Sequence, residues 1–266
     1  MLDNFNREIN YLRISVTDRC NLRCVYCMPA EGIQQIQHND VLSFEEIYEF
    51  TKVAVSKGVN KVRLTGGEPL VRKGIVDLVK MLSSIEEIKD LSMTTNGLLL
   101  NKYAIELKDA GLQRVNISLD TIDAEIYKKI TRGGNIQNVF DGIEEAKKAG
   151  LYPIKINCVI KNSVEEPDAL AVKKWGEQNG LIVRFIDEMD IEKGTFSVVH
   201  GGDGGDCAKC NRLRLTSDGY LKPCLFSDIS INIREMDYAE AIDKAIDDKP
   251  ACGVNSNTNK FYNIGG

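Results

Sequence analysis

Six short apolar runs constrain the fold of this chain more than any other feature: Leu12–Thr17, Lys61–Thr65, Leu91–Thr95, Arg114–Leu119, Ile154–Ile160 and Ile182–Ile186. Longer amphipathic segments separate them, at about 43–57, 74–86, 101–110, 138–149 and 167–179. The first opens on Ser43-Phe44-Glu45-Glu46, a capping-box pattern, and Gly58, Gly111, Gly150 and Gly180 follow periodic runs as helix stops. Strand alternating with helix predicts a parallel sheet with helices outside it. Six strands rather than eight predict a partial (βα)6 TIM-type barrel, an α/β fold whose chemistry gathers at the C-terminal strand ends.

Polar and small residues recur at those ends. Strand one leads into Cys20-Asn21-Leu22-Arg23-Cys24-Val25-Tyr26-Cys27, and strand two into Gly66-Gly67-Glu68-Pro69. Strand three ends in Thr94-Thr95-Asn96-Gly97 and strand four in Ser118-Leu119-Asp120. Strand five carries Lys155, Asn157 and Cys158, and strand six carries Arg184 ahead of Glu188-Met189. Any one of these reads equally well as a turn or a helix cap. Six at one edge of a sheet read as a site.

The C-x3-C-x2-C run offers three thiolates, one short of the usual four around an iron–sulfur cluster or a structural zinc. A 4Fe–4S cluster held by Cys20, Cys24 and Cys27 leaves one iron open; a zinc loop or half a disulfide framework are the alternatives. Residues 1–12 include Asp3, Arg7 and Glu8 and no apolar signal core, and no apolar run reaches the length of a membrane span. The expected location is therefore the cytoplasm, where eight cysteines read as metal ligands rather than disulfides. A net charge of −5 argues against a nucleic-acid-binding module, and two histidines, His38 and His200, argue against a histidine-based metal site.

Beyond residue 190 the alternation stops and glycine rises. The expected division is a barrel over 1–190 and a small C-terminal region over 191–266. A second cysteine set appears there, Cys207-Ala-Lys-Cys210 and then Cys224. Asn211 to Thr216 alternates like a strand, with Asn211, Arg212 and Arg214 expected on one face. Ser217-Asp218-Gly219-Tyr220 reads as a hairpin turn that returns Cys224 towards Cys207 and Cys210. Residues 238–248 read as helix. Cys158, in an apolar strand, reads as a core residue, and Cys252 as part of an irregular, exposed tail.

At this point the residues carry a resemblance. Leu12–Pro29, LRISVTDRCNLRCVYCMP, resembles the signature of radical S-adenosylmethionine (SAM) enzymes. Cys207–Phe226, CAKCNRLRLTSDGYLKPCLF, and the terminal Gly265-Gly266 are similar to the GTP 3′,8-cyclase family of molybdenum cofactor biosynthesis. The resemblance implies two 4Fe–4S clusters, the second on Cys207, Cys210 and Cys224, and SAM on the open iron of the first. It implies SAM contacts from Tyr26, Gly67, Ser118 and Met189, with Glu68 supporting that pocket. GTP contacts fall to Arg13, Arg63, Thr94, Lys155, Arg212 and Arg214, with Arg184 a further cation at a strand end.

The implied reaction removes the ribose 3′ hydrogen of GTP, and the sugar radical then closes onto C8 of guanine. Quenching needs an electron and a proton, for which Arg13, Arg212 and Arg214 are candidate catalytic residues. The implied partners are an electron donor such as flavodoxin or ferredoxin, a second subunit in a homodimer, and the next enzyme of the pathway. The connection from Met189 to Cys207 is shorter than the segment that family members carry there. A different nucleotide or a peptide therefore stands as an alternative substrate, and a non-catalytic cluster scaffold as a reading from another class.

Overall fold

The apolar runs form the strands of one continuous sheet. The computed structural model describes residues 1–202 and 204–264. Its first six strands are β1 (Tyr11–Ser15), β2 (Lys61–Thr65), β3 (Asp90–Thr95), β4 (Arg114–Ser118), β5 (Lys155–Ile160) and β6 (Ile182–Asp187). Neighbours in sequence pair in parallel from β1 to β6. Three further strands, β7 (Arg212–Leu215), β8 (Tyr220–Lys222) and β9 (Ile231–Asn232), extend the other edge, giving the order β6-β5-β4-β3-β2-β1-β7-β8-β9. The sheet is open, as a partial barrel requires.

Helices cover its outer face: α1 (Phe44–Ser56), α2 (Ile75–Ser83), α3 (Leu100–Asp109), α4 (Ala124–Thr131), α5 (Ile136–Ala149) and α6 (Pro167–Gln178). The expected capping box starts α1: Ser43 Oγ accepts from Glu46 N–H while the Glu46 carboxylate accepts from Ser43 N–H. Gly150 ends α5 at φ 76°, the left-handed cap that glycine adopts without strain. Helix α7 (Tyr238–Asp247) covers β8 and β9, and a short α8 (Phe261–Ile264) ends the described chain. Buried Ile, Leu and Val from strands and helices make one continuous core, which supplies most of the stabilisation.

Three expectations need correction. Strand β1 stops at Ser15 rather than Thr17, because the chain turns there: Thr17 Oγ1 accepts from Arg19 N–H and Thr17 C=O from Gly67 N–H. Helix α4 has no counterpart among the expected helices. Its apolar face is short, with Tyr127 and Thr131 the buried residues, so periodicity over eight residues gave little signal. Asn211 does not share a face with Arg212 and Arg214. Successive strand residues alternate, and Asn211 instead donates to Asn10 at 2.9 Å.

Candidate active site

Register places the polar strand residues on one side of the sheet. Arg13 pairs with Arg63 on one flank and Arg214 on the other, and Tyr11 pairs with Arg212. Asn116 pairs with both Thr94 and Lys155, and Asn157 with both Ser118 and Arg184. Paired residues of parallel strands face the same way, so one face carries the whole set.

The loop after β1 rests on that face's upper edge, and three devices hold it. First, β2 runs into its backbone. Gly67 N–H donates to Thr17 C=O at 2.7 Å, and Glu68 N–H to Arg19 C=O at 2.9 Å. A Cβ on Gly67 would lie 2.4 Å from the Arg19 oxygen, so only glycine permits this approach. Second, the end of α4 straps the loop from the far side. Arg23 N–H and Val25 N–H donate to Thr131 and Ile130 carbonyls, and Arg132 Nη1 donates to the carbonyls of Arg23 and Met28. Third, Tyr26 Oη donates to Asp120 Oδ2 at 2.8 Å, while Asp120 Oδ1 accepts from Val159 N–H. Burial pushes the Asp120 carboxyl up to about 6 and Tyr26 well above the usual phenol range.

Cys20, Cys24 and Cys27 thereby line one cavity together with Tyr26, Gly67, Thr94, Ser118 and Met189. Thr94 Oγ1 is buried with no hydrogen-bond partner among the described residues, a polar atom turned towards this space. Glu68 does not line it. The carboxylate lies fully buried one layer below, accepting from Leu70 N–H, Thr95 Oγ1–H and Asn96 N–H at 3.0, 2.7 and 2.7 Å. Asn96 then reaches up to Asn21 Oδ1 at 2.8 Å. Burial, and then the neighbouring thiol charges, push Cys24 up to about 12, and burial does the same to Cys27. Such thiols ionise when a metal centre binds them and supplies the positive charge that water does not.

A second cavity adjoins the first across Ile186 and Met189, which line both. The β7–β8 hairpin brings Cys207, Cys210 and Cys224 together there with Arg13, Arg212 and Arg214. The short connection forms its outer wall. His200 pairs with Phe185 at the free edge of β6, and Phe196 stacks on Phe226 with ring centres 4.3 Å apart. Arg13 and Arg214 are buried, and Arg214 is brought down to about 10 by burial and then by Arg212. Cys210 shifts the opposite way to Cys24: burial alone would raise it, but Lys249, Arg212 and Arg214 bring it below the ordinary thiol range. Arg63, Lys155 and Arg184 line neither cavity. Arg63 lies over Tyr11 and donates to Ser92 Oγ at 3.3 Å, and Lys155 is brought down to about 8 by burial and then by Arg184, Arg114 and Arg63. So many cations on one face make it strongly electropositive.

Among the described residues no three His, Cys, Asp or Glu side chains converge on a point suited to a single metal ion. Each cysteine set instead lines the wall of a cavity, where its three thiols and the Met189 thioether are the soft donors. That arrangement fits a cluster several atoms across, and soft thiolates are the donors that iron–sulfur clusters take.

Comparison with known proteins agrees. The sequence matches the model of the radical SAM superfamily over residues 14–172 and that of Molybdenum Cofactor Synthesis C over 187–252. It is 41% identical to the GTP 3′,8-cyclase of Thermodesulfovibrio yellowstonii, covering 89% of this chain and 88% of that protein. The chain belongs to the GTP 3′,8-cyclase family. A GTP 3′,8-cyclase of Listeria monocytogenes is 42% identical over 93% of this chain and 90% of its own. Alignments of 282 and 300 positions exceed the 266 residues of this chain, so these relatives carry residues with no counterpart here, in keeping with the short connection. In fold, the chain is similar to Streptococcus suis SuiB bound to S-adenosylmethionine, with a TM-score of 0.63 and 18% identity, over 91% of this chain and 64% of that longer one.

The cofactors of this family are two 4Fe–4S clusters and SAM. Sequence reasoning missed Tyr11, which lies under Arg63 and Arg212 at 5.4 and 5.8 Å and relieves their repulsion. It also missed Asp120 as the anchor of Tyr26, and Arg132 as the strap of the loop. Asp120 was visible as part of a strand end. Arg132 was not, because α4 was not. The terminal Gly265-Gly266 lies outside the described residues.

Proposed function

We propose that this protein is a radical SAM GTP 3′,8-cyclase, a lyase that converts GTP to 3′,8-cyclo-7,8-dihydro-GTP in molybdenum cofactor biosynthesis. The observation that carries this reading is the junction of the two cysteine-lined cavities at Ile186 and Met189, with three arginines on the far side only. Such a junction suits a nucleotide whose ribose faces one site and whose base and phosphates face the other.

In this reading Cys20, Cys24 and Cys27 hold one cluster, and Tyr26, Gly67, Ser118 and Met189 flank SAM, with Glu68 bracing them from below. When bound, that pair supplies a 5′-deoxyadenosyl radical able to take a hydrogen atom from carbon. Cys207, Cys210 and Cys224 hold the second cluster, which leaves a position for the purine. Arg13, Arg212 and Arg214 bind the triphosphate at that site through their forked donors, Thr94 adds a polar group in the first cavity, and Arg63, Lys155 and Arg184, on the same sheet face but outside both linings, add positive charge beside them. Burial and neighbouring cations lower the proton affinity of Arg13, Arg63, Lys155 and Arg214, and an incoming polyanion opposes that shift. Met189, Ile186 and Phe196 keep the junction dry around a reactive sugar. In this reading Arg13, Arg212 and Arg214 also assist the final proton delivery after ring closure.

The division into a barrel over 1–190 and a cluster-bearing region over 191–266 belongs to this reading. So do a cytoplasmic location, an electron donor such as flavodoxin or ferredoxin, a homodimer and hand-over to the next pathway enzyme. No described helix is long and apolar enough to cross a membrane. The deciding experiment is anaerobic cluster reconstitution followed by SAM, dithionite and GTP, with products read by mass spectrometry. Deoxyadenosine formed in step with a cyclised nucleotide is expected. Deoxyadenosine formation indifferent to GTP would sink the substrate assignment. Arg212→Ala with Arg214→Ala should keep both clusters and lose GTP affinity.

A further inference from the structure

The tail residues 249–254 are tied onto the second cysteine site rather than left free. Arg7, buried and paired with Asp3 at 2.6 Å, donates through Nη1 to the carbonyls of both Cys207 and Ala251 and through Nη2 to Pro250. Lys249 Nζ is buried and donates to the carbonyls of Arg212, at the start of β7, and Pro223, just past the end of β8. Gly253 lies against Cys224, where a Cβ would come within 2.9 Å of its sulfur, and Val254 N–H donates to Phe226 C=O. Two buried cations and a glycine thus fix residue 252 from both sides. The residue they fix is Cys252, whose S–H donates to Cys207 Sγ at 3.1 Å.

We propose that Cys252 is a fourth thiol of the C-terminal site, interchangeable with Cys207 as the ligand of one iron. The contact distance decides between roles. Thiolates of a four-iron cluster attach to different irons and stand apart, whereas Cys207 and Cys252 touch and so address the same corner. Cys252 therefore stands in for Cys207 and leaves the open iron open. The exchange balances: one iron–sulfur bond to Cys207 breaks, one to Cys252 forms, and the proton of Cys252 passes along the S–H···S contact to Cys207. Cys210 and Cys224 have no such neighbour among the described cysteines, since the remaining one, Cys158, is buried in β5 with its S–H towards Asp120 C=O. The Cys207 corner, which borders the exposed Cys252, gains from a spare ligand, because oxidation or loss of Cys207 alone then leaves the cluster held.

The proposal rests on the reading that this site holds a cluster, and the test separates the two. In a full-length chain with Cys20, Cys24 and Cys27 changed to Ala, only the second site can load. Iron and sulfide per chain are measured after anaerobic reconstitution of that parent, of Cys207→Ala, of Cys252→Ala and of the pair combined. The expected result is a loaded parent, both singles close to it, and loss in the double. Alkylation gives a second readout: Cys252 should react with iodoacetamide in the loaded parent and be protected in loaded Cys207→Ala. Cys207→Ala as empty as the double, beside a loaded parent, overturns the proposal and leaves the cluster reading standing. Cys252 equally alkylated in both loaded forms overturns it too. A parent that loads nothing overturns both. A Cys207–Cys252 disulfide without rescue by Cys252 would make the pair a redox couple rather than alternate ligands.

Discussion

Changing Glu68 to Gln is the sharpest test of how the SAM-side cavity is held. The side chain keeps its shape, so packing is untouched. Its hydrogen bonding is not. Oε1 accepts from Leu70 N–H and Thr95 Oγ1–H, and Oε2 from Asn96 N–H. An amide has one acceptor oxygen, so either orientation turns an NH2 group towards a backbone N–H, that of Asn96 or that of Leu70. Glu68 is fully buried, so water cannot repair the mismatch. Two facing donors at about 1–3 kcal/mol each, less the relief of removing a buried charge, give a loss of about 2–3 kcal/mol. For a chain of this size that lowers the unfolding midpoint by about 5–10 °C. Thermal unfolding of the cluster-free protein, followed by circular dichroism, reads it directly. The loss should carry upward, because Asn96 ties Glu68 to Asn21 beside Cys20. Iron bound at the first site should therefore escape faster to a chelator. A midpoint within about 1 °C of the parent would refute the reasoning, since it would mean the carboxylate is not the acceptor of three buried bonds.

Gly67→Ala should be worse than its size suggests: the new methyl meets the Arg19 carbonyl at 2.4 Å, and relieving that overlap displaces the cysteine loop at about 1–3 kcal/mol, read by loss of first-site iron with the second site intact. Arg132→Ala removes two hydrogen bonds to the loop, about 1 kcal/mol each, and should speed chelator extraction from the first site while leaving the second unchanged. Lys155 gives a pH test with two signs. Its folded-state pKa of about 8 lies below the ordinary 10.5, so between those values the unfolded chain binds more protons and the ligand-free protein gains stability as pH rises. Over the same interval the cation is lost and GTP affinity falls; Lys155→Met should flatten both trends, and a parent affinity unchanged from about pH 7 to about pH 9 would remove Lys155 from the binding set.

Much of this arrangement was legible because it rests on local rules. Apolar runs of strand length, a capping box and glycines after helical segments are written residue by residue, and β1 to β6 appear where those rules put them. The two cysteine sets were legible for the same reason: one short loop carries the first three thiols, and a local hairpin returns Cys224 to Cys207 and Cys210. What was not legible depends on distance in sequence. Arg132 reaches the cysteine loop across more than a hundred residues. Helix α4, which carries it, buries too little to announce itself, and forms because Asp123 caps it and the loop packs on it. Cys252 is the extreme case. Nothing near it in sequence binds metal, and contacts distant in sequence, from buried Arg7 and Lys249 and from the packing of Gly253 and Val254, bring it to Cys207. Glu68 was legible as a support of the SAM-side pocket, but its partners Leu70, Thr95 and Asn96 were not, because the alternation of faces breaks down at a strand end.

The short connection between Met189 and Cys207 then takes on a definite structural meaning. A second site hung from that segment would shift when the segment was shortened. The β7 strand is not hung from it. It pairs with β1 from Tyr11↔Arg212 to Ile14↔Leu215, so Arg214 stands one strand spacing, about 4.8 Å, from Arg13. Lys249 clamps the same hairpin, and Arg7 ties Cys207 to the tail beside it. The relative position of the two cysteine sets is thus fixed by sheet hydrogen bonds and buried cations, and the connection is free to be short because its work is to wall the second cavity along β6. Lengthening or shortening it changes how much of a bound nucleotide is covered. It does not change whether the two halves of the site face each other.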